Sequence, residues 1–237
     1  MPNLAIVGYG KMGKLIEQLA SEYGFAVTLK LDEFNNSNGE GVTRENFESV
    51  DVAVDFSIPS AVCGNVEAIA KLGVNLVIGT TGWTGQMDGV KSVVVQNGIG
   101  LVWSPNYSVG VNAFFRLVSE AARLLAAQPE YGAWAWEIHH STKKDAPSGT
   151  LLKLVEDMKK AGYARSIDVS ASRAGTVPGT HEIGFDSGAD TITLRHTARS
   201  REGFARGALQ AARWVIGKKG FYEFGEIVFG RAADERR

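Results

Sequence analysis

Residues 4–13 are Leu4-Ala5-Ile6-Val7-Gly8-Tyr9-Gly10-Lys11-Met12-Gly13, and this stretch decides the fold of the first half of the chain. Its apolar start is typical of a buried parallel strand, and that strand ends at a glycine. The residues after it place apolar side chains at helical spacing. A G-x-G-x-x-G pattern between a strand and a helix is typical of a dinucleotide site, because the glycines let a pyrophosphate approach the free N–H groups of the helix.

Asp32 strengthens this prediction, since it stands at the end of the next predicted strand and 19 residues after Gly13. In dinucleotide-binding domains an acidic residue about 20 positions beyond the glycines binds the ribose hydroxyls. We therefore predict NADH or NADPH as the cofactor. Asp32 favours NADH, whereas Lys11, Lys14 and Lys30 favour the 2′-phosphate of NADPH, so the preference stays open.

The first half of the chain continues as alternating strands and helices. Strand patterns occur at residues 26–31, 52–56, 76–78 and 99–103, and helical patterns at 60–72 and 87–96. This alternation predicts a parallel sheet with helices on both faces. Ligands of such sheets bind outside the carboxyl ends of the strands. Clusters of polar residues and glycines follow three of these strands, at residues 55–57, 79–82 and 104–108.

The pattern changes after about residue 108. A long helical pattern at residues 109–127 precedes a strand-like stretch at 133–139 and a helix at 149–160. Three more strand-like pieces follow, at residues 167–173, 181–185 and 191–196. They predict a mixed or antiparallel sheet, and hence a second domain. A last helix at 204–216 and a tail at 221–229 follow.

The densest chemistry lies between the strand at 133–139 and the helix at 149–160. Strand alternation sends His139 and His140 to opposite faces, so we predict different roles for them. Lys143 follows three positions later. A histidine exchanges protons near neutral pH, and a lysine pairs with carboxylates.

The start of the second of these helices is itself a predicted anion site. Ser148 is a good N-cap, which leaves the N–H groups near Gly149 and Thr150 free. A lysine, a histidine and a helix N-terminus together indicate a substrate that carries a carboxylate.

The composition excludes several classes of protein. The 237 residues are 44% apolar and 22% charged, which is ordinary for a globular chain. A net charge of −1 gives no basic field for nucleic acid or for an anionic membrane. No apolar stretch approaches the roughly 18 residues of a membrane span, and we expect no signal peptide. The single cysteine, Cys63, allows no disulfide within the chain, so we expect a cytoplasmic protein.

We also predict that the protein has no metal site. Its four histidines are His139, His140, His181 and His196, and they show no metal-ligand spacing.

Several segments together resemble the 4-hydroxy-tetrahydrodipicolinate reductase family, also called dihydrodipicolinate reductases, of the bacterial lysine and diaminopimelate pathway. The most specific segment is His139-His140-x-x-Lys143-x-Asp145-Ala146-Pro147-Ser148-Gly149-Thr150. The resemblance covers nearly the whole chain and includes residues 8–13, 55–57, 79–82, 104–112, 173–175, 179–182 and 204–208.

The resemblance implies an α/β fold with two domains. Residues 1–107, completed by 200–237, are expected to form a Rossmann-type dinucleotide-binding domain. Residues 108–199 are expected to form a mixed α/β domain that binds substrate and builds a homotetramer. The implied reaction is the NAD(P)H-dependent reduction of 4-hydroxy-tetrahydrodipicolinate, a small dicarboxylate, to tetrahydrodipicolinate.

The resemblance also implies roles for individual residues. His139 is expected to donate or accept a proton, and Lys143 to be a second proton donor. His140, Gly149 and Thr150 are expected to hold a substrate carboxylate. Cofactor contacts are implied for Gly8, Tyr9, Gly10, Lys11, Met12, Gly13, Asp32, Gly79, Thr80, Thr81, Ser104, Pro105, Asn106 and Tyr107. Ser104 stands where the family usually has alanine.

Two other functions fit the same scaffold. Another nicotinamide-dependent reductase, acting on an aspartate-derived acid, would bind the cofactor but would not need the paired roles of His139 and Lys143. A non-enzymatic redox sensor would bind NAD(H) and turn over nothing. The sequence also leaves open the tetramer geometry, feedback regulation, and whether the 4-hydroxy substrate is dehydrated on this protein.

Overall fold

The computed structural model describes residues 1–230, and the chain divides into two compact units. Met1–Val109 and the described chain from Glu202 onward form the first unit, and Gly110–Arg201 form the second. The predicted first domain extends to residue 237, and residues 231–237 of it lie outside the described residues. Within residues 1–230, no helix has both the length and the apolar character needed to cross a membrane.

The chain begins with alternating strands and helices. They are β1 (Asn3–Val7), α1 (Lys11–Ala20), β2 (Ala26–Leu31), β3 (Val52–Asp55), α2 (Pro59–Lys71), β4 (Asn75–Ile78), α3 (Met87–Asn97) and β5 (Gly100–Trp103). The strands pair in parallel in the order β5-β4-β3-β1-β2. Leu4 and Ile6 face one core with α1, whereas Ala5 and Val7 face the opposite core with α2 and α3. Because both faces are covered, the inner strands β1, β3 and β4 are apolar except for one end residue each.

The second unit is a four-stranded mixed sheet with helices on one face. Its elements are α4 (Val109–Leu125), β6 (Gly132–His139), α5 (Gly149–Lys160), β7 (Ile167–Arg173), β8 (Thr180–Asp186) and β9 (Thr191–Thr197). The strand order is β7-β6-β8-β9, with β6 and β7 parallel and the other pairs antiparallel. Apolar residues of α4 and α5, among them Phe114 and Leu154, pack with Ala135 and Ile183 on the inner face of the sheet.

After the second unit the chain returns to the first. The last elements are α6 (Glu202–Val215), β10 (Gly220–Glu223) and α7 (Phe224–Phe229). β10 pairs in parallel with β5 and becomes the outer strand of a six-stranded sheet. α6 packs beside α1 on the face of the sheet to which Leu4 and Ile6 point. A Cβ on Gly207 of α6 would lie 1.8 Å from the carbonyl oxygen of Tyr107. The helix therefore needs glycine at this contact.

The predicted fold class, a Rossmann-type domain with a mixed α/β domain, is confirmed. Each predicted helix or strand is present, and its ends agree with the structure to within two residues. The predicted tail at residues 221–229 consists of a strand and a short helix.

Candidate active site

In the first unit, the three glycines of the G-x-G-x-x-G turn have different surroundings. Gly8 has a φ of 92°, and a Cβ there would lie 2.4 Å from the carbonyl oxygen of Phe56. A Cβ on Gly13 would lie 2.5 Å from the carbonyl oxygen of Gly8. Around Gly10, by contrast, a Cβ would meet no described atom within 4 Å. The first two glycines are therefore required by the fold, while Gly10 leaves room for a ligand.

The N-terminus of α1 is open beside this turn. Gly10 is its N-cap and supplies no side-chain hydrogen bond, and the first turn of the helix has no acidic residue. Its free N–H groups and the helix dipole favour an anion. The residues present therefore fit the pyrophosphate of a dinucleotide.

A cleft of about 440 Å³ joins the carboxyl ends of β1, β3 and β4. It is lined by Gly10, Lys11, Met12, Phe56, Ser57, Pro59, Gly79, Thr80 and Thr81. Six of these residues are among the predicted cofactor contacts, and the other three follow β3. The cleft thus brings together two of the three clusters that the sequence placed at strand ends, together with the glycine-rich turn.

Asp55 holds two walls of this cleft together. Its carboxylate accepts hydrogen bonds from the Ser57 backbone N–H at 2.9 Å and the Ser57 hydroxyl at 2.7 Å. It also accepts from the Thr80 hydroxyl at 2.9 Å and the Asn65 amide at 2.9 Å. The buried carboxylate therefore fixes the loops that follow β3 and β4 relative to each other.

Asp32 lies next to the glycine-rich turn, because the N–H groups of Gly8 and Tyr9 donate to the carbonyl oxygen of Leu31, at 2.8 and 3.1 Å. Its carboxylate accepts from the backbone N–H of Phe34 at 2.9 Å. One oxygen of this half-buried group is thus used in a local turn.

Lys30, one of the lysines predicted near a 2′-phosphate, is already paired. Its ammonium lies 2.9 Å from the carboxylate of Glu17 and 5.1 Å from the centre of the Tyr9 ring. The Tyr9 hydroxyl also contacts Glu17.

Ser104, Pro105, Asn106 and Tyr107 are not part of the lining of this cleft. The Ser104 hydroxyl donates to the carbonyl oxygen of Asn106 at 2.8 Å. Tyr107 is only 2% exposed, and its hydroxyl lies 2.9 and 3.0 Å from the carbonyl oxygens of Ile78 and Val102. The Tyr107 side chain therefore belongs to the core, and a cofactor role for this segment stays a prediction.

In the second unit, β6 separates the two neighbouring histidines. His139 is the last residue of the strand and is 7% exposed, on the same face as the buried Glu137. His140 lies outside the strand and is half-buried, with Nδ1 2.8 Å from the Thr142 hydroxyl. The two side chains thus have different surroundings, in keeping with the prediction of different roles.

Lys143 lies in the turn that follows. Its ammonium binds both carboxylate oxygens of Asp145, at 2.7 and 2.9 Å. This hydrogen bond holds the pKa of Asp145 below its ordinary value.

The start of α5 is capped but open to a ligand. The Ser148 hydroxyl accepts from the backbone N–H of Leu151 at 3.2 Å, which confirms it as the N-cap. A Cβ on Gly149 would meet no described atom within 4 Å. The helix start is therefore uncovered at the exposed Gly149, and the first N–H groups of a helix can bind an anion at such a position.

Behind this surface lies a buried polar group that we call the Glu137 cluster: Glu137, His139, Ser148, Arg173 and His181. Glu137 is fully buried and accepts from the Ser148 backbone N–H at 2.9 Å and the Arg173 guanidinium at 2.8 Å. Its other oxygen contacts the Ser148 hydroxyl and lies 3.3 Å from Nε2 of His181 and 3.6 Å from Nδ1 of His139.

The Glu137 cluster contains three residue types that bind metals. One ligand atom from each of Glu137, His139 and His181 lies within 4.8 Å of the others. No spacing rule could find this set, because it comes from two antiparallel strands. The Arg173 guanidinium already neutralises the carboxylate, so the residues fit an ion-paired network better than a cation site. The absence of a metal stays a prediction.

The network shifts the proton affinities of its members. Burial raises the pKa of Glu137, but hydrogen bonds from His181, Ser148 and Arg173 outweigh this effect and hold the pKa well below its ordinary value. Burial lowers the pKa of His139 to about 4, and Glu137 only partly opposes the shift. His139 is therefore a neutral imidazole at pH 7 in the free protein.

Comparison with known proteins matches both halves of the chain to one family. The model of the N-terminal part of dihydrodipicolinate reductase matches residues 2–107, and that of the C-terminal part matches residues 110–228. The chain belongs to the dihydrodipicolinate reductase family.

Individual members of this family are similar over nearly their whole length. The 4-hydroxy-tetrahydrodipicolinate reductase of Christiangramia forsetii is 33% identical, over 95% of this chain and 97% of its own. That of Methanosarcina barkeri is 35% identical, over 96% and 99%. A solved structure of dipicolinate-bound dihydrodipicolinate reductase from Paenisporosarcina sp. TG-14 has the same fold, with a TM-score of 0.79 at 23% identity, over 96% of this chain and 99% of that one.

Three residues that organise the two sites, Asp55, Glu137 and Arg173, have no individual role among the predictions from the sequence, although Asp55 stands in one of the predicted strand-end clusters. A signal for Glu137 was present, because strand alternation puts it on the same face as His139, two residues away. Arg173 and Asp55 both end strands, but their partners come from other elements. The registers of β3 with β4 and of β6 with β7 reveal the contacts with Thr80 and Arg173, and the packing of α2 reveals the contact with Asn65.

Proposed function

We propose that this protein is an NAD(P)H-dependent 4-hydroxy-tetrahydrodipicolinate reductase that forms tetrahydrodipicolinate in lysine and diaminopimelate biosynthesis. One observation carries the proposal in a chain of this family: His139, Lys143 and the open N-terminus of α5 lie within a single unit, beside one turn. These groups supply proton transfer and carboxylate binding, the two functions that a reductase of an unsaturated ring dicarboxylate needs besides its cofactor.

The first unit holds the cofactor. Gly8 to Gly13 and the N-terminus of α1 bind its pyrophosphate, Asp32 its ribose, and Thr80 and Thr81 border the same cleft. When bound, the reduced nicotinamide supplies the hydride that is transferred to the substrate ring.

The second unit holds the substrate. The N–H groups of Gly149 and Thr150 bind one carboxylate at the start of α5, and His140 adds a polar contact. The Lys143 ammonium leaves Asp145 and pairs with a carboxylate of the substrate. This exchange is possible because Asp145 is exposed and its ion pair with Lys143 is screened by water.

Proton delivery completes the reduction. His139 is neutral in the free protein, because burial lowers its pKa to about 4. A dianionic substrate nearby raises that pKa, so that substrate binding and protonation of His139 support each other. Lys143 is the second donor.

The remaining parts of the proposal concern assembly and location. The face of the second sheet away from α4 and α5 carries Trp134, Trp136 and Ile138, all partly exposed in the single chain. We assign this face to contacts between subunits in a homotetramer. The absence of cysteine pairs supports a cytoplasmic location.

A coupled assay tests the function. The upstream synthase generates fresh substrate from pyruvate and aspartate semialdehyde, and the loss of NADH or NADPH is followed by absorbance. We expect rapid oxidation by the wild type and losses of about 10²- to 10⁴-fold for His139→Gln and Lys143→Ala, the range typical of general acid–base groups. Light scattering of the same samples is expected to give four times the 25.4 kDa of one chain.

Lys144→Ala is the matched control, since this neighbouring lysine is exposed in the same turn. It should keep nearly full activity. A folded wild type that binds NADH but oxidises none of it in this assay would overturn the proposal and direct attention to other keto and imino acids.

A further inference from the structure

The buried carboxylate of Glu137 lies between His139, the proposed proton donor, and the start of α5, the proposed site of a substrate carboxylate. On one side it is 3.6 Å from Nδ1 of His139, and on the other it accepts from the backbone N–H and the hydroxyl of Ser148, the residue that caps α5. It is fully buried, so it is not exposed for direct contact with a substrate. Any contribution to the reaction must therefore pass through its neighbours.

Glu137 has a fixed counter-ion. The Arg173 guanidinium donates to it at 2.8 Å and also contacts the carbonyl oxygen of Asp145, in the turn that carries Lys143. His181 adds Nε2 at 3.3 Å. A buried carboxylate with these donors stays ionised and keeps its position, because protonation would leave the guanidinium of Arg173, which is only 16% exposed, without its partner.

Nδ1 of His139 is buried and has no hydrogen-bond partner among the described residues. Its neighbour at 3.6 Å is the anionic oxygen of Glu137, too far for a formed hydrogen bond but close enough for a strong electrostatic effect. An unprotonated Nδ1 would point its lone pair toward this anion, whereas an Nδ1–H points a positive hydrogen at it. The carboxylate therefore favours the tautomer with the proton on Nδ1.

We propose that Glu137 is a positioning residue of the active site: it holds His139 as the Nδ1–H tautomer, so that Nε2 is the nitrogen that exchanges a proton with the substrate. This inference rests on the proposed function of His139. The imidazolium gives its Nε2 proton to the substrate and keeps the Nδ1 proton, and solvent restores the one that was lost. Gly179 lines the Nε2 side, where a Cβ would lie 2.9 Å from that nitrogen.

The charges around His139 set the direction of the expected pH effect. It faces Glu137 on its own strand, Arg173 on β7, His181 on β8 and Lys143 in the following turn. His196 on β9 lies opposite His181 and is the next titratable group on this face of the sheet. Glu137 is the only anion among these described groups, so replacing it with a neutral residue lowers the proton affinity of His139 further.

Glu137→Gln tests the proposal, because it keeps the shape and removes the charge. The amide N–H₂ then faces Nδ1 as a donor and selects the opposite tautomer, with the proton on Nε2. We expect the ¹⁵N spectrum of ring-labelled histidine, assigned by loss of the His139 signals in His139→Gln, to show this exchange. We expect kcat to fall about 100-fold or more with a much smaller change in KM, and the pH profile of kcat/KM to move to lower pH by about one pH unit.

Two further variants separate positioning from folding. Glu182→Gln is the matched control: Glu182 is the neighbour of His181 on the opposite face of the sheet, and it pairs with Arg195 at 3.4 Å. It should leave the His139 spectrum and the rate unchanged. Glu137→Asp restores a carboxylate and should recover the Nδ1–H tautomer and part of the activity.

Two outcomes overturn the inference. One is an Nε2–H tautomer of His139 in the wild type, which can be read without any variant and holds even if Glu137→Gln fails to fold. The other is a folded Glu137→Gln with the activity and His139 spectrum of Glu182→Gln. Both are distinct from failure of the proposed function, which would appear as a wild type with no turnover, whatever its histidine spectrum.

Discussion

Gly8 and Gly10 are two positions apart in one turn, but the fold requires glycine only at Gly8. A side chain at Gly8 meets the backbone of the loop after β3 and needs an unfavourable φ, while a side chain at Gly10 meets no described atom within 4 Å. We predict that Gly8→Ala lowers the free energy of unfolding by about 1–3 kcal/mol or more. Urea unfolding of Gly8→Ala and of the wild type measures this loss.

Gly10→Ala should instead leave stability unchanged and weaken NADH binding at least about tenfold, or ~1.4 kcal/mol, because its methyl group enters the space of the pyrophosphate. Titration by NADH fluorescence measures this affinity. Gly8→Ala is titrated in parallel and shows how far destabilisation of the fold alone weakens NADH binding. Wild-type affinity in Gly10→Ala would mean that the pyrophosphate does not lie against this residue.

The role of a residue could be predicted from the sequence where its interaction partners are close to it in the chain. The glycines, Ser148 and the contrast between His139 and His140 followed from local patterns, since turns, caps and strand alternation are set within a few residues. The roles of Asp55 and Glu137 did not, because each depends on donors from other elements of the fold. Strand alternation indicates that Glu137 shares a face with His139, but the donors that keep its buried carboxylate ionised come together only in the folded chain.

At the scale of elements, α6 packs closely against the segment before α4, and the contact is made at Gly207. A Cβ on Gly207 would overlap the carbonyl oxygen of Tyr107, whereas one on Gly203, in the same helix, would lie 3.5 Å from its nearest neighbour, the Ser108 hydroxyl. We predict that Gly207→Ala destabilises the protein by about 1–3 kcal/mol or more through displacement of α6.

Gly203→Ala should be neutral or stabilising by up to about 1 kcal/mol, because alanine is the better helix former. Thermal unfolding of the two variants provides the measurement, and equal midpoints would contradict the assigned packing. The helical pattern of α6 was visible in the sequence. The need for glycine at Gly207 was not, since it arises from a carbonyl 100 residues earlier in the chain.

At the scale of the whole molecule, the buried carboxylate and imidazole whose pKa values fall strongly, Glu137 and His139, lie in the second unit. The pKa of His139 falls from an ordinary 6.5 to about 4, and that of Glu137 also falls. Between pH 4 and pH 6.5 the unfolded chain binds more protons at His139 than the folded chain does. The stability that His139 contributes is therefore complete above pH 6.5 and is lost as the pH falls toward 4. This contribution is about 3 kcal/mol.

We therefore predict that acid unfolds the second unit before the first. Fluorescence distinguishes them, since Trp134 and Trp136 lie in the second unit and Trp83, Trp103 and Trp214 in the first. Replacing the pair in the second unit by phenylalanine identifies its transition. His139→Gln should flatten the pH dependence of that transition, while His140→Gln, in a half-buried turn, should not. A single transition with the same pH dependence in both variants would contradict this assignment.

The return of α6 and β10 to the first unit has a consequence for how the protein is made. On the ribosome, β1 to β5 emerge early, but β5 stays an unpaired edge and the α6 side of the core stays uncovered until the last part of the chain is synthesised. The second unit is contiguous and can fold while the first waits. A chain that ends at residue 201 and has left the ribosome would therefore carry a finished second unit together with an exposed apolar sheet, the kind of surface that chaperones bind.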